Sequence, residues 1–326
     1  MISSADFFWR QLIIRPVSPW ITPLHADTIF GHLCWKIVRE RGSADLNDFL
    51  GVMGRTPLFT LSDVLPAGML YRPLLIGRMG NNGRSTIEES ILALDKSRTF
   101  AKSAYVPAQA LADYVAAEDA SGAFENLANQ AVATHDFFSG DSITKNTINR
   151  FTGRVGDEGG LYSLATTEAS SAKSGGMLAL LVKIPEQQRQ AYQDWDVEKH
   201  LSTAFTQGFG KKKSTGYGQF KIESWQDWQN PIKQPKHNKL VAQSGFVPSD
   251  HDPTDGAYAI FVKYGKLGEE RAVGNNPHKK PLIMIRPGAT FKVNAKYQGY
   301  VGGMISGLSD AYPDVTQYAY GMTLDF

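Results

Sequence analysis

The stretch "GFGKKKSTGYGQF", residues 208–220, holds four glycines and three consecutive lysines and runs into an alternating apolar segment. A nucleotide-hydrolase phosphate loop needs Gly, four residues, then Gly-Lys-Ser/Thr, placed after a strand and before a helix. Here Lys211 is followed by Lys212, and the place of the first glycine is taken by Phe205. The order is also reversed, because a helical pattern precedes the loop and a strand pattern follows it. That reading is rejected. The remaining chemistry still favours phosphate. Gly208, Gly210, Gly216 and Gly218 let amide groups point into one concavity and let another backbone come close. Lys211, Lys212 and Lys213 add cations beside it, followed by Ser214 and Thr215. Three cations in a row suit a run of phosphates, hence a polynucleotide. "TGYGQFKI" partly echoes the Gly-aromatic-Gly signature of RNA-recognition domains, with Tyr217 between Gly216 and Gly218 and with Gln219 where that signature has an aromatic. The plain alternative is a solvated turn.

Working outward, "DWDVEKHLSTAFTQG" (194–208) reads as an amphipathic helix with Val197, Leu201, Ala204 and Phe205 on one side, and "YGQFKIESW" (217–225) as a half-exposed strand. "GMLALLVKIP" (176–185) reads as a buried strand, and "FFWRQLIIRPV" (7–17) as a first strand stopped by Pro16. "TPLHADTIFGHLCWKIVRERG" reads as a helix with Thr22 at its N-cap, Pro23 at its first helical position and Gly42 at its end. Strand–helix at the start and strand–helix–strand at the end suit a βαββαβ ferredoxin-like domain with a large insertion. Within residues 43–175 only "VPAQALADYVAAEDA" is clearly helical. "GRMGNNGRSTIEES" (77–90) and "GRVGDEGGLYSLATTEASSAKSGG" (153–176) read as long exposed connections. After Trp228, Pro231 and Pro235 mark a linker. Beyond it the chain is strand-rich, with "RPGA" (286–289) reading as a hairpin turn.

Composition sets bounds. The 326 residues allow two domains, and 42% hydrophobic with 20% charged residues is that of a globular protein. A net charge of +2 means that any nucleic-acid surface is a local patch. The single cysteine, Cys34, excludes an internal disulfide and suits an apolar helical stripe. No leader or membrane span is read, so the expectation is a cytoplasmic protein.

Four segments resemble subunit four of the type III-A (Csm) CRISPR effector complexes, within the RAMP superfamily. They are "HADTIFGHLCW" (25–35), "LFTLSDVLPAGMLYRPLL" (58–75), "NTINRFTGRVGDEGGLYSL" (146–164) and the glycine loop. "MIRPGATFKV" (284–293) matches more weakly. The resemblance implies an α+β protein of two ferredoxin-like, RRM-like RAMP domains. The first is 1–228, with an insertion at about 43–175 and the loop at 208–218; the second, 229–326, is smaller and β-rich. It implies a subunit without catalysis, cofactor or metal, present as one copy. Such a subunit caps the 5′ handle of the CRISPR RNA and joins the large cyclase-bearing subunit to the backbone subunits. Residues 208–218, from Gly208 to Gly218, would contact the handle, and Asn149 and Arg150 would make a second RNA contact.

His25, His32, Lys36 and Arg39 fall on one helical stripe, which suits either an RNA or partner groove or a solvated face. The first rival reading is a metal-free RAMP endoribonuclease, with His25, His135 and Tyr217 sharing acid–base work. His25-Ala26-Asp27 and His135-Asp136 lack the further ligands a metal site needs. The second rival is a protein-only assembly factor.

Overall fold

A computed structural model describes residues 6–75, 87–118, 120–155, 160–170, 174–274 and 276–326. The first half contains β1 (Phe7–Pro16), α1 (Ala26–Arg41), α2 (Ser43–Arg55), β2 (Thr60–Leu61), β3 (Leu65–Pro66) and β4 (Met69–Tyr71). It continues with α3 (Ile87–Lys102), β5 (Tyr105–Pro107), α4 (Ala108–Ala116), α5 (Ala120–Gln130), β6 (Phe138–Asn146) and β7 (Leu161–Ala169). Then come β8 (Leu178–Pro185), α6 (Arg189–Asp194), α7 (Val197–Thr206) and β9 (Phe220–Asp227).

β2, β8, β1 and β9 lie side by side in that order, antiparallel throughout, with β3 also pairing to β8. Taken as the four strands of a βαββαβ unit, the fourth and third flank the first and the second lies outermost. This is the ferredoxin-like arrangement read from the sequence. β8 is buried at all eight positions, in keeping with its apolar run from Leu178 to Val182. Leu178, Leu180, Val182 and Ile184 pack with Ile29, Leu33 and Ile37 of α1 and Leu201 and Phe205 of α7. Leu181, on the opposite face, packs with Trp9 and with Val241, Met322 and Leu324 of the second half. Cys34 packs at the edge of the helix-side core, and burial pushes its thiol up to about 12.

The start of α1 departs from expectation. The helix begins at Ala26 with His25 at its N-cap, and neither Thr22 nor the His25 side chain caps it. The acceptor comes from another element: the buried Asp63 carboxylate takes the Ala26 N–H at 2.8 Å. Thr22 is left free for the glycine loop.

The second half contains β10 (Lys239–Ala242), β11 (Gly256–Ala257), β12 (Ile260–Lys263), β13 (Leu282–Ile285), β14 (Thr290–Lys292), β15 (Tyr300–Ile305) and β16 (Gln317–Asp325). It is β-rich, with a sheet in the order β11-β14-β10-β16-β15. Among the described residues beyond Trp228 there is no α-helix, so the helix-bearing βαββαβ order is complete only in the first half. The halves share their packing. Tyr318 stacks on Phe30 at 4.7 Å and its hydroxyl accepts the Leu61 N–H at 2.9 Å. The Tyr320 hydroxyl donates to Met53 O at 2.7 Å.

"RPGA" is not a hairpin turn. β13 pairs with β12, whereas β14 pairs with β10 and β11, so the turn carries the chain from one sheet to another. It is fixed by long-range bonds, Gly288 N–H to Ala242 O at 2.7 Å and Leu74 N–H to Gly288 O at 2.8 Å. The insertion is also more ordered than its composition suggests. α4 forms within the expected segment, and Phe100, Val106, Leu111, Val115 and Leu127 build a shared core with Leu70. Part of 153–176 is strand β7, not loop; residues 156–159, 171–173 and most of 77–90 lie outside the described residues.

Candidate nucleic-acid interface

α7 ends at Thr206, and the glycine loop doubles back before β9. Phe209 anchors it. This ring is fully buried and stacks on Phe205 at 5.5 Å, and its N–H bonds Gly218 O at 2.8 Å. Residues 18–22, which follow β1, grip the loop from one side. Gly218 N–H donates to Pro19 O at 2.8 Å, Gln219 N–H to Ser18 Oγ at 3.0 Å, and Lys211 N–H to Thr22 Oγ1 at 2.9 Å. α1 grips it from the other, with Gly210 N–H donating to His32 Nε2 at 3.2 Å. Two glycines are required by close approach. A Cβ on Gly218 would sit 2.1 Å from Phe209 O, and one on Gly210 would sit 2.3 Å from Thr22 Oγ1. Both have positive φ, +67° and +77°.

The two ends of the loop lie inside its packing. Gly208 and Gly218, both expected to contact RNA, are buried. Gly208 lies under the Lys213 and Gln219 side chains, where a Cβ would meet Lys213 Cβ and Gln219 Nε2 at 2.8 Å, and its N–H is spent on Phe205 O at 3.3 Å. Gly208 therefore serves the exit from α7 and Gly218 the return to β9, each as part of the loop's internal packing. Both are committed to that packing, and the more exposed face of the loop runs over residues 210–217.

The three lysines divide. Lys211 and Lys212 are exposed. Lys213 is ion-paired to Glu269, which also takes Arg39 at 2.5 Å. Burial works against the Glu269 charge, but the hydrogen bond and charge of Lys213, with Arg39, hold its carboxyl below the usual range. Lys213 therefore ties the loop to the second half, and two lysines remain to meet an anion. The Thr215 hydroxyl donates to Lys212 O at 2.9 Å, and Ser214, Thr215 and Gly216 are all exposed.

The α1 stripe is neither a free groove nor a solvated face. Burial, reinforced by Lys213, lowers the His32 imidazole to about 4, so the ring is neutral and its Nε2 can accept the Gly210 N–H. The Lys36 ammonium donates to Gln207 Oε1 at 2.6 Å, and Arg39 meets Glu269. His25 stands apart from this use, with its ring against Phe261 at 6.4 Å.

The second wall of the site is the β6/β7 hairpin, paired without interruption from Phe138↔Ala169 to Asn146↔Leu161. Its base is fastened by Trp20, whose N–H and C=O pair with those of Thr167 at 3.0 and 2.7 Å. Asn149 and Arg150 lie in the turn at its tip, ~15 Å beyond Lys145 at strand spacing. Asn149 shapes that turn, its Oδ1 accepting the Phe151 N–H at 2.9 Å and the Thr152 N–H at 3.3 Å. Arg150 is exposed, and so is Phe151. The structure thus places Asn149 and Arg150 on the arm that borders the loop, not in the loop's own cleft. His135 lies on an exposed turn before β6, while Tyr217 is half-buried beneath Lys145, whose Nζ is 5.6 Å from the ring centre. Among the described residues no group of three or more His, Cys, Asp or Glu side chains is placed to hold a metal, and no helix is long and apolar enough to cross a membrane.

Sequence reading placed His32 on a stripe suited to RNA or a partner without joining it to the loop, and it missed Thr22, Lys145 and Tyr162 as parts of this site. For the last two a signal existed, because "SITKN" and "LYSLA" alternate as a two-faced hairpin should.

A ferredoxin-like sheet, a β-rich second sheet and a glycine loop after the last helix of the first make up an α+β fold. Among solved structures, the chain matches one in the crystal structure of a Csm3-Csm4 subcomplex of the type III-A CRISPR-Cas interference complex, at TM-score 0.61 and 11% identity, over 97% of this chain and 99% of that one. It matches chains in the Csm1-Csm4 cassette in complex with AMPPNP, at 0.56 and 13%, and in complex with pppApA, at 0.56 and 14%, each over 98% of this chain and 97% of that one. At these identities the likeness is one of fold. No protein-family model and no curated protein matches the sequence.

Proposed function

We propose that this chain is a Csm4-type subunit of a type III-A CRISPR effector complex. It binds the 5′ handle of the CRISPR RNA at its glycine loop and bridges the large cyclase-bearing subunit to the backbone subunits, in the cytoplasm and without chemistry of its own. One observation carries the reading: the two kinds of solved assembly it matches share Csm4, and each match spans nearly the full length of both chains. The loop supports the RNA role. It is held from two sides while presenting the exposed Lys211 and Lys212, a combination suited to phosphates. The absence of catalysis is supported by the scatter of the rival residues, since His25, His135 and Tyr217 each have different surroundings.

The test is a gel with purified protein and 5′-labelled guide RNA carrying its handle, in EDTA, at two salt concentrations. A salt-sensitive shift with intact RNA is expected. Shortened RNA would instead establish the metal-free nuclease, and no shift would remove the RNA role.

A further inference from the structure

The hairpin and the glycine loop border a half-open cavity of about 340 Å³. Its walls are built as a reciprocal pair. From the hairpin come Lys145 and Tyr162, directly opposite one another in the β6/β7 register. From the loop come Lys212 and Tyr217. Each lysine stands over the tyrosine of the other wall, Lys145 Nζ 5.6 Å from the Tyr217 ring centre and Lys212 Nζ 5.7 Å from that of Tyr162. Ile143 and Leu164 add apolar floor.

We infer that this cavity takes one unstacked ribonucleotide of a single strand, its base between Tyr162 and Tyr217 and its phosphate between Lys145 and Lys212. The inference rests on the RNA-binding reading above and adds to it a second wall and a stoichiometry of one base. Three observations favour a nucleotide over an acidic peptide. The cations sit on aromatic faces, so an arriving base displaces them towards the phosphate it brings. Exchange is favourable because a lysine over an exposed ring is held more weakly than a stacked base. The volume lies at the lower end of the ~300–1,000 Å³ range of small-ligand sites, which fits one nucleotide and not a folded segment. The gap is also preset. Residues 18–22 hold both walls, Trp20 bonding the hairpin at Thr167 while Pro19 and Thr22 bond the loop at Gly218 and Lys211.

The experiment uses the full chain and a single-stranded guide RNA carrying 4-thiouridine at successive positions. Ultraviolet cross-linking and peptide mass spectrometry locate adducts, and filter binding on the same samples gives affinity. Adducts from one RNA position on peptides containing Tyr162 and Tyr217 are expected. Tyr162→Ala and Tyr217→Ala should each weaken binding about 5- to 100-fold, with Tyr162→Phe close to the parent because the stacking face remains. Thermal midpoints of all variants, measured alongside, separate loss of binding from loss of fold; Tyr162 is 38% exposed, so its removal leaves the core intact. If Tyr162→Ala binds RNA as tightly as the parent and the adducts lie elsewhere, the cavity is not the base site, while the RNA-binding reading stands. If the parent binds no RNA, both fail. Competition by poly-glutamate as effective as by RNA would also overturn the inference.

Discussion

Replacing Lys211 and Lys212 together with alanine tests the loop most sharply, because Lys213 supplies an internal control. Each free lysine that neutralises one phosphate of a single strand contributes ~0.7 to the slope of log affinity against log salt. Losing both should reduce the slope by about 1.4 and weaken binding ~25-fold at about 0.1 M salt. Lys213→Ala should behave differently, because its ammonium is committed to Glu269. It should leave the salt slope within about 0.3 of the parent. Its loss frees Glu269, which retains Arg39 at 2.5 Å, so the stability cost should stay within ~1 kcal/mol. The assay is fluorescence anisotropy with a labelled guide RNA across about 0.05 to 0.2 M salt. An unchanged slope in the double variant, or an equal loss in Lys213→Ala, would refute the division of the three lysines.

Gly218→Ala should destabilise the chain by about 1–3 kcal/mol or more in denaturant unfolding, since its Cβ would meet Phe209 O at 2.1 Å. Gly216→Ala should cost only about 1–2 kcal/mol, because φ is +92° but nothing lies within 4 Å. His32 has its folded value depressed from 6.5 to about 4, so its contribution is complete above pH 6.5 and is lost as pH falls towards 4. The loss should reach at most about 3 kcal/mol, and His32→Gln should flatten the unfolding midpoint across that window. Lys183 is buried between the sheets, donating to Gly299 O at 2.6 Å and Thr323 O at 2.9 Å, and burial lowers its ammonium from 10.5 to about 8. Stability should therefore rise by up to about 3 kcal/mol from pH 8 to 10.5, and Lys183→Met should remove that rise.

The parts of the fold legible in the sequence are those where one strong period dominates. β1, α7, β8 and β9 each announce themselves by an apolar run or stripe, and their order alone suggests the ferredoxin-like sheet. The β6/β7 hairpin is hidden because its strands are half polar and are separated by a glycine-bearing tip. "RPGA" misleads because turn chemistry says that the chain reverses, not which strand it then joins. That choice is set by Ala242 and Leu74, distant in sequence. The loop's glycines and lysines are readable, but the division of labour among them is not. Gly208 and Gly218 look like Gly216 in the sequence, yet only Gly216 faces outward. Glu269 lies 56 positions from Lys213, and Thr22 and His32 lie 189 and 178 positions from the amides they hold.

The central claim is membership of an RNA-bearing assembly, and native mass spectrometry tests it most directly. The chain would be co-expressed with large and backbone subunits of a type III-A complex and a guide RNA, then purified through a tag on the chain itself. The account predicts a particle holding one copy of this chain, both partners and intact guide RNA. A chain that emerges alone, or with its partners but indifferent to the presence of RNA, would contradict it.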